Sequence, residues 1–424
     1  MNNGLEQVEF KSTTVSDGFV GLRYKKDKIH IYLPLGYNIT HNNNMELRSD
    51  ILLLLKSITL VKSYDNTKTD FGFDIGNKEE MPFNSFLWII SDYLTNGLYQ
   101  EIEKKYTQNG HGKINWKRTL SSTPYYVDDN PIFINPYYET NTYKNNIITE
   151  LNTYCVKVSY KYIGFLFGNI KIPVCSLKEE QIKCNKRYYL DIINKEFART
   201  YNDRKKQLLL NMKRIIDTSY DKDSLKIASF GTYKYEYVWE KLVNEVFCTK
   251  NIKINDYFPE AYWYLLHKGK VKDSSKLRPD TILKDNKNNK IYILDAKYYK
   301  YGITNDIKDL PSIDSIQKQI TYGDNIAINS SKYNNIKVKN IYNAFILPFN
   351  KDKNEFAVTD NICYEGYAES SWKKVEDESS YQKIALILVD IKYLIDCYYK
   401  KEKVKIEDLI TCIEKVNSEQ LNES

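Results

Sequence analysis

Two carboxylates and a lysine stand at spacings that a tight strand hairpin would bring to one point. Leu277-Arg278-Pro279-Asp280 leads into the apolar run Thr281-Ile282-Leu283, and Lys290 to Leu294 leads into Asp295-Ala296-Lys297. Between the runs, Asp285-Asn286-Lys287-Asn288-Asn289 is turn chemistry, because Asn and Asp bond their own backbone and tolerate left-handed φ. A hairpin centred between Lys287 and Asn288 sets Asp280 directly opposite Asp295. Such partners hold their Cβ atoms about 4.5–5.5 Å apart. Alternation along the strand puts Lys297 on the face of Asp295 and turns Ala296 away. Two hard oxygen ligands beside an ammonium suit Mg²⁺-assisted attack of water on a phosphodiester. In that reading Asp280 and Asp295 hold the cation, with the Ala296 carbonyl as a candidate third ligand and Mn²⁺ as a substitute ion. Lys297 orients or deprotonates the water, or offsets charge growing on the phosphate.

Two helices must flank such a hairpin. Tyr235, Val238, Trp239, Leu242, Val243, Val246 and Phe247 recur at i, i+3, i+4, i+7 spacing, which predicts an amphipathic helix with Glu236 and Glu240 beside its apolar stripe. Downstream, Ile316-Gln317-Lys318-Gln319-Ile320-Thr321-Tyr322 reads as the start of a second helix, with Ser312, Asp314 or Ser315 as its cap. Gln319 and Tyr322 are three apart and share a face. The order of these elements resembles the PD-(D/E)xK nuclease superfamily, here with aspartate in the middle slot. That resemblance implies a restriction-endonuclease-like α/β core, a mixed sheet flanked by helices. It also implies a metal-site glutamate from the first helix, for which Trp239-Glu240-Lys241-Leu242-Val243 is the better match, so Glu240 is favoured over Glu236. Glu240 would then be an outer ligand or a ligand to a second metal. By the same resemblance Gln319 and Tyr322 face the catalytic site.

Bulk properties narrow the class. The chain has 424 residues, enough for two domains each with its own core. A net charge of +7 with 28% charged residues permits contact with a polyanion without requiring it. Seven cysteines are scattered without a CxxC pair, and the four histidines do not cluster. A disulfide framework, a zinc ribbon and a zinc hydrolase are therefore disfavoured. The first residues lack a basic stretch leading into an apolar run, and the most apolar segment, Ile51 to Leu55, is too short to span a bilayer. The expectation is a cytoplasmic protein with no membrane contact.

Along the chain, Phe19 to Tyr24 and Ile29 to Leu33 predict a hairpin, Glu46 to Tyr64 a largely buried helix, and Phe83 to Tyr106 a longer one. Residues 109–141 read as irregular or as short strands, and helical periodicity returns from Tyr143 to about Tyr162. Leu177 to Tyr220 is charged and lacks Gly and Pro, so it reads as helical. Ile341 to Leu347 and Ala385 to Val389 read as further strands, with closing helices at Asp390 to Tyr399 and Ile406 to Val416. The expected fold is mixed α+β. It comprises an N-terminal mixed domain over 1–170 for docking a partner or touching DNA, a helical linker over 171–223, and the nuclease core over 224–424.

Gly110-His111-Gly112-Lys113-Ile114-Asn115-Trp116-Lys117-Arg118-Thr119 hints at phosphate binding but lacks the GxxxxGK[ST] spacing of a P-loop. Its Lys113, Trp116, Lys117 and Arg118 form a basic-aromatic cluster suited to DNA backbone or to a partner protein. With Trp239-Glu240, Arg278-Pro279-Asp280 and Leu294-Asp295-Ala296-Lys297-Tyr298-Tyr299, this segment resembles the LlaJI-type restriction endonucleases, which are similar to McrC. The resemblance spans most of the chain and implies a Mg²⁺-dependent cutter of double-stranded DNA in a restriction or antiviral defence system. It further implies that the N-terminal region docks an McrB-like AAA+ GTPase. Cutting both strands suggests a homodimer. The rival readings are a stand-alone restriction enzyme whose N-terminal domain reads DNA, and a non-catalytic DNA-binding scaffold.

Overall fold

A computed structural model describes residues 5–12, 18–25, 28–39, 43–62, 81–108, 110–218, 227–272, 277–372, 379–401 and 406–418. The chain divides into two compact units, and the division is not a single cut. One unit is residues 1–6 with 76–228, and the other is residues 7–75 with 229–424. The architecture is mixed α+β, with several sheets flanked by helices.

The 76–228 unit is a helical bundle with a three-stranded and a two-stranded sheet. Helix Ile147–Ile163 begins at a capping box: the Asn146 side chain accepts from the Ile148 and Thr149 amides, and the Thr149 hydroxyl accepts from the Asn146 amide. Such a cap is worth about 1 kcal/mol. Arg204 forks onto Asp92 at 2.7 and 3.0 Å, tying helix Asp203–Asp217 to helix Phe83–Asn96. The expected long helix over 83–106 is two elements. It stops at Asn96 because Gly97, with φ 74°, donates its amide to the Tyr93 carbonyl and turns the chain out of the helix. Glu101–Gln108 is instead a strand paired antiparallel with Tyr137–Lys144 over eight positions. Pairing partners far away in sequence override the local helical pattern. The charged stretch after 177 forms three helices, Glu179–Cys184, Lys186–Arg199 and Asp203–Asp217.

The second unit is built on a five-stranded sheet. Its order is Thr281–Asp285, Lys290–Ala296, Ile341–Phe349, Ile384–Asp390, Ile362–Ala368, with the middle three parallel and both edges antiparallel. Ile341–Phe349 is buried at every position, as an inner parallel strand covered on both faces should be. A smaller sheet combines Val8–Ser12, Lys28–Leu33, Val20–Lys25 and Ile227–Thr232.

Residues 7–75, assigned on sequence grounds to an N-terminal domain, thus belong to the unit that carries the candidate site. The reason is specific contact. Helix Asn44–Lys62 packs on helices Tyr235–Phe247 and Ile391–Lys400. Lys392 pairs with Asp50, the Tyr399 hydroxyl donates to the Lys56 carbonyl at 2.7 Å, and the Leu35 amide donates to the Tyr298 hydroxyl at 2.6 Å. Tyr64, the last residue of the expected helix 46–64, lies outside the described residues.

One close approach makes the small sheet sensitive to a methyl group. Gly21 has φ +140°, and a Cβ there would overlap the Phe230 carbonyl oxygen and the Gly231 backbone. Gly21→Ala is expected to cost about 2–3 kcal/mol from overlap and backbone strain. Gly18→Ala, at φ +82° in open space, carries the φ penalty alone and should cost about 1 kcal/mol. Urea unfolding of the two variants measures the difference.

Candidate active site

The candidate site grows from the hairpin Thr281–Asp285/Lys290–Ala296. Its register runs from Asp285 opposite Lys290 to Thr281 opposite Leu294, so Asp280 follows on beside Asp295. The turn is stabilised where the sequence suggested. Asp285 accepts from the Lys287 and Asn288 amides, and Asn289 takes φ +49°. Asp280 and Asp295 share a face with Ile282, Ile291 and Ile293 by alternation. Those isoleucines pack with Tyr322 and Ile326 in one core cluster, so helix Ile313–Ile328 covers that face.

Asp280 is held at both ends. One carboxylate oxygen accepts from the Ala296 amide at 2.9 Å, and its backbone carbonyl accepts from the Asn244 side-chain amide at 2.8 Å. Asp295 stands beside Asp280 across the register, near enough for its charge to act on that carboxyl. Asp295 is 9% exposed and carries the Lys297 ammonium at 2.7 Å. The Lys297 amide and the Trp239 indole both donate to the Ile346 carbonyl, at 2.9 and 3.1 Å. That one acceptor joins helix Tyr235–Phe247, the end of strand Lys290–Ala296 and the central strand Ile341–Phe349.

Burial, then the charge of Asp295, then that of Glu240 push the Asp280 carboxyl well above the usual carboxylate range. Burial and Asp295 likewise push Glu240 up, against the pull of Lys297 and Lys241. Burial draws the Lys297 ammonium down, but the charge and hydrogen bond of Asp295, with Asp280 behind them, reverse this to a net upward shift. The arrangement is a knot of negative charge with one bound ammonium.

The other expected residues sort clearly. Glu240 is half-buried and within electrostatic reach of both aspartates, while Glu236 is exposed. Gln319 is fully buried, and its amide donates to the Ile293 carbonyl at 2.7 Å. The Tyr322 hydroxyl donates to the Arg278 carbonyl at 3.0 Å, while burial and the charges of Asp295 and Asp280 raise its own ionisation. Gln319 and Tyr322 therefore brace the backbone of the two strands. The sequence reading missed Asn244. Its signal was present, one turn after Glu240 on the same helix face, as a polar residue beside an apolar stripe.

Among the described residues no group of three or more His, Cys, Asp and Glu side chains is gathered into a metal cage. At the strand ends the Asp280–Asp295 pair has Glu240 within electrostatic reach. Two carboxylates side by side at paired strand ends, with the first pushed upward by burial and then by its neighbours' charge, nonetheless fit a dication. Mg²⁺ is commonly bound by one or two carboxylates and keeps several waters. No disulfide joins the seven cysteines, and no helix among the described residues is long and apolar enough to cross a membrane.

Comparison with known proteins places the chain in a family. A Bacillus subtilis (strain 168) protein, type II restriction enzyme BsuMI component YdjA, is 24% identical over 402 residues, covering 90% of this chain and 81% of that protein. A solved half-complex of Thermococcus gammatolerans McrB AAA+ hexamers with bound McrC aligns at 12% identity and a TM-score of 0.35, covering 95% of this chain and 82% of that one. The sequence profile of the LlaJI restriction endonucleases matches residues 19–392, and the chain belongs to that family.

Proposed function

We propose that this chain cuts double-stranded DNA as the Mg²⁺-dependent nuclease of a restriction system, from a PD-(D/E)xK-type centre at Asp280, Asp295 and Lys297. The observation that carries the reading is the Asp280–Asp295 pair, side by side at the ends of two paired strands, with Lys297 2.7 Å from Asp295. Asp280, Asp295 and the Ala296 carbonyl would hold the ion, with Glu240 as an outer ligand. An Mg²⁺ held there would supply Lewis-acid polarisation of the phosphoryl group and acidify a coordinated water. Lys297, kept protonated by Asp295, positions that water and offsets charge developing on the phosphate. Gln319, Tyr322 and Asn244 fix the strand ends, so that the carboxylates do not reorganise during the reaction.

Cutting is coupled, in this reading, to an McrB-like AAA+ GTPase subunit. The 76–228 unit offers a surface of the right kind, with Trp116, Leu120, Tyr125, Tyr126 and Val127 all more than half exposed. Large exposed apolar side chains gathered in one stretch of sequence suit a protein interaction site. The designation of the Bacillus relative as a component of its enzyme fits a multi-subunit assembly, and a homodimer would supply the second cut.

The experiment is cleavage of plasmid DNA with and without Mg²⁺, alone and with a partner GTPase encoded alongside. Cutting that persists unchanged in EDTA rejects the metal centre. A second expectation concerns stability. A carboxyl raised in the folded state contributes stability at low pH that is lost as pH climbs through its shifted value. Mg²⁺ should therefore raise Tm, and by more as pH increases above the ordinary carboxylate range. Differential scanning fluorimetry reads this directly, and an increment independent of pH would contradict it.

A further inference from the structure

Between the Trp239 helix and the Asp280 strand lies a ribbon that the catalytic arrangement does not use. Tyr262–Leu265 and Gly269–Lys272 pair antiparallel, with Tyr262 opposite Lys272 and Tyr264 opposite Lys270. Every one of these eight residues is exposed, and Leu266 at the tip is 99% exposed. A two-stranded ribbon that covers no core is marginal in water, so its large apolar side chains need another explanation. Alternation sorts them. Tyr262, Tyr264, Lys270 and Lys272 share one face, and Trp263, Leu265 and Val271 the other. The Lys270 ammonium lies 4.0 Å from the Tyr262 ring centre and 5.8 Å from that of Tyr264. Glu260, bonded to Lys272 and Tyr262, is the one acidic residue from 260 to 272, against lysines at 268, 270 and 272.

The ribbon stands on a firm base. Tyr257, just before it, stacks on Tyr333 with ring centres 4.9 Å apart, and its carbonyl accepts from Asn325. Tyr257 shares a core cluster with Ile282, Ile293 and Tyr322, so the ribbon is anchored to the elements that set Asp280 and Asp295. A protein-docking face would be depleted in lysine. Alternating lysine and tyrosine with an apolar tip suits a polyanion whose grooves admit a two-stranded ribbon and whose base steps accept apolar wedges.

We infer that the Tyr262–Lys272 ribbon grips duplex DNA on the flank of the cutting site, with Lys268 and Lys270 on phosphates and Trp263 and Leu266 pressed against the bases. The inference rests on the nuclease reading for the identity of the polyanion.

The test is fluorescence anisotropy of full-length protein with a labelled duplex in EDTA, across a salt series. Lys268→Glu/Lys270→Glu is expected to weaken binding roughly 10- to 100-fold, and to lower the slope of log Kd against log salt by about two. Trp263→Ala is expected to weaken binding roughly 5- to 10-fold with the slope unchanged. Affinity within about twofold of wild type for both variants, with native circular dichroism, overturns the inference. So does a change of oligomeric state at unchanged DNA affinity, which would make the ribbon a protein interface, and so does absence of binding by wild type. The two readings fail separately. Wild type that binds as expected through the ribbon but never cuts with Mg²⁺ removes the nuclease and leaves the ribbon. Variants that bind and cut like an active wild type remove the ribbon alone.

Discussion

Asp280→Asn is expected to lower Mg²⁺-dependent cleavage on the order of 10³-fold or more, about 4 kcal/mol of transition-state stabilisation, while Tm is held or raised. The stability sign follows from the surroundings. Asp280 is crowded by Asp295 and Glu240, which with burial hold its carboxyl well above the usual range. Replacing it with a neutral isostere removes that repulsion and keeps an oxygen for the Ala296 amide. Activity is expected to fall because, in the proposed metal centre, one of the two carboxylate ligands would lose its charge. Asp295→Asn should be equally inactive but not stabilised, since it takes the counter-charge from Lys297 at 2.7 Å. Lys297→Ala should also abolish cutting and leaves Asp295 without its ammonium. Plasmid cleavage with thermal melts in parallel separates these outcomes. Wild-type rates in all three variants would reject the assignment.

Trp239→Ala should unfold or nearly unfold the unit that carries the site. The side chain is fully buried and is among the largest of the buried residues, and its indole donates to the Ile346 carbonyl. Truncation of a buried tryptophan costs about 3–5 kcal/mol, a large part of the ~5–15 kcal/mol that typically holds a domain together. The lost hydrogen bond acts on the acceptor that also fixes the Lys297 amide. Residual folded protein should therefore cut more slowly per molecule. Urea unfolding with activity normalised to folded fraction tests both halves. Trp239→Phe, which keeps most of the volume but not the indole N–H, should recover most of the stability and less of the rate.

The hairpin was legible because short-range rules govern it. The Asp285-to-Asn289 turn fixes the register, and register alone places Asp280 beside Asp295. Helix Tyr235–Phe247 was legible from its period, and Ile341–Phe349 from its apolar run. What escaped depends on contacts distant in sequence. The strand Glu101–Gln108 follows a stretch of helical pattern, and only its partner Tyr137–Lys144 makes it extended. Helix Asn44–Lys62 was recognised as buried, but nothing local says that it would pack on helices formed near residues 240 and 395. The roles of Gln319 and Tyr322 were only half legible. Their common face was readable from spacing, while their backbone acceptors on Ile293 and Arg278 were not.

The way residues 7–75 and 229–424 share one unit bears on when cutting ability can arise during synthesis. The helix that supports the Trp239 helix emerges from the ribosome early, but its packing partners follow only after some 150 residues of another unit. Closing so long a loop delays assembly of the later-formed piece. A nascent chain therefore holds the early helix before the elements it supports exist, and the candidate site assembles only once residues beyond 229 have been made.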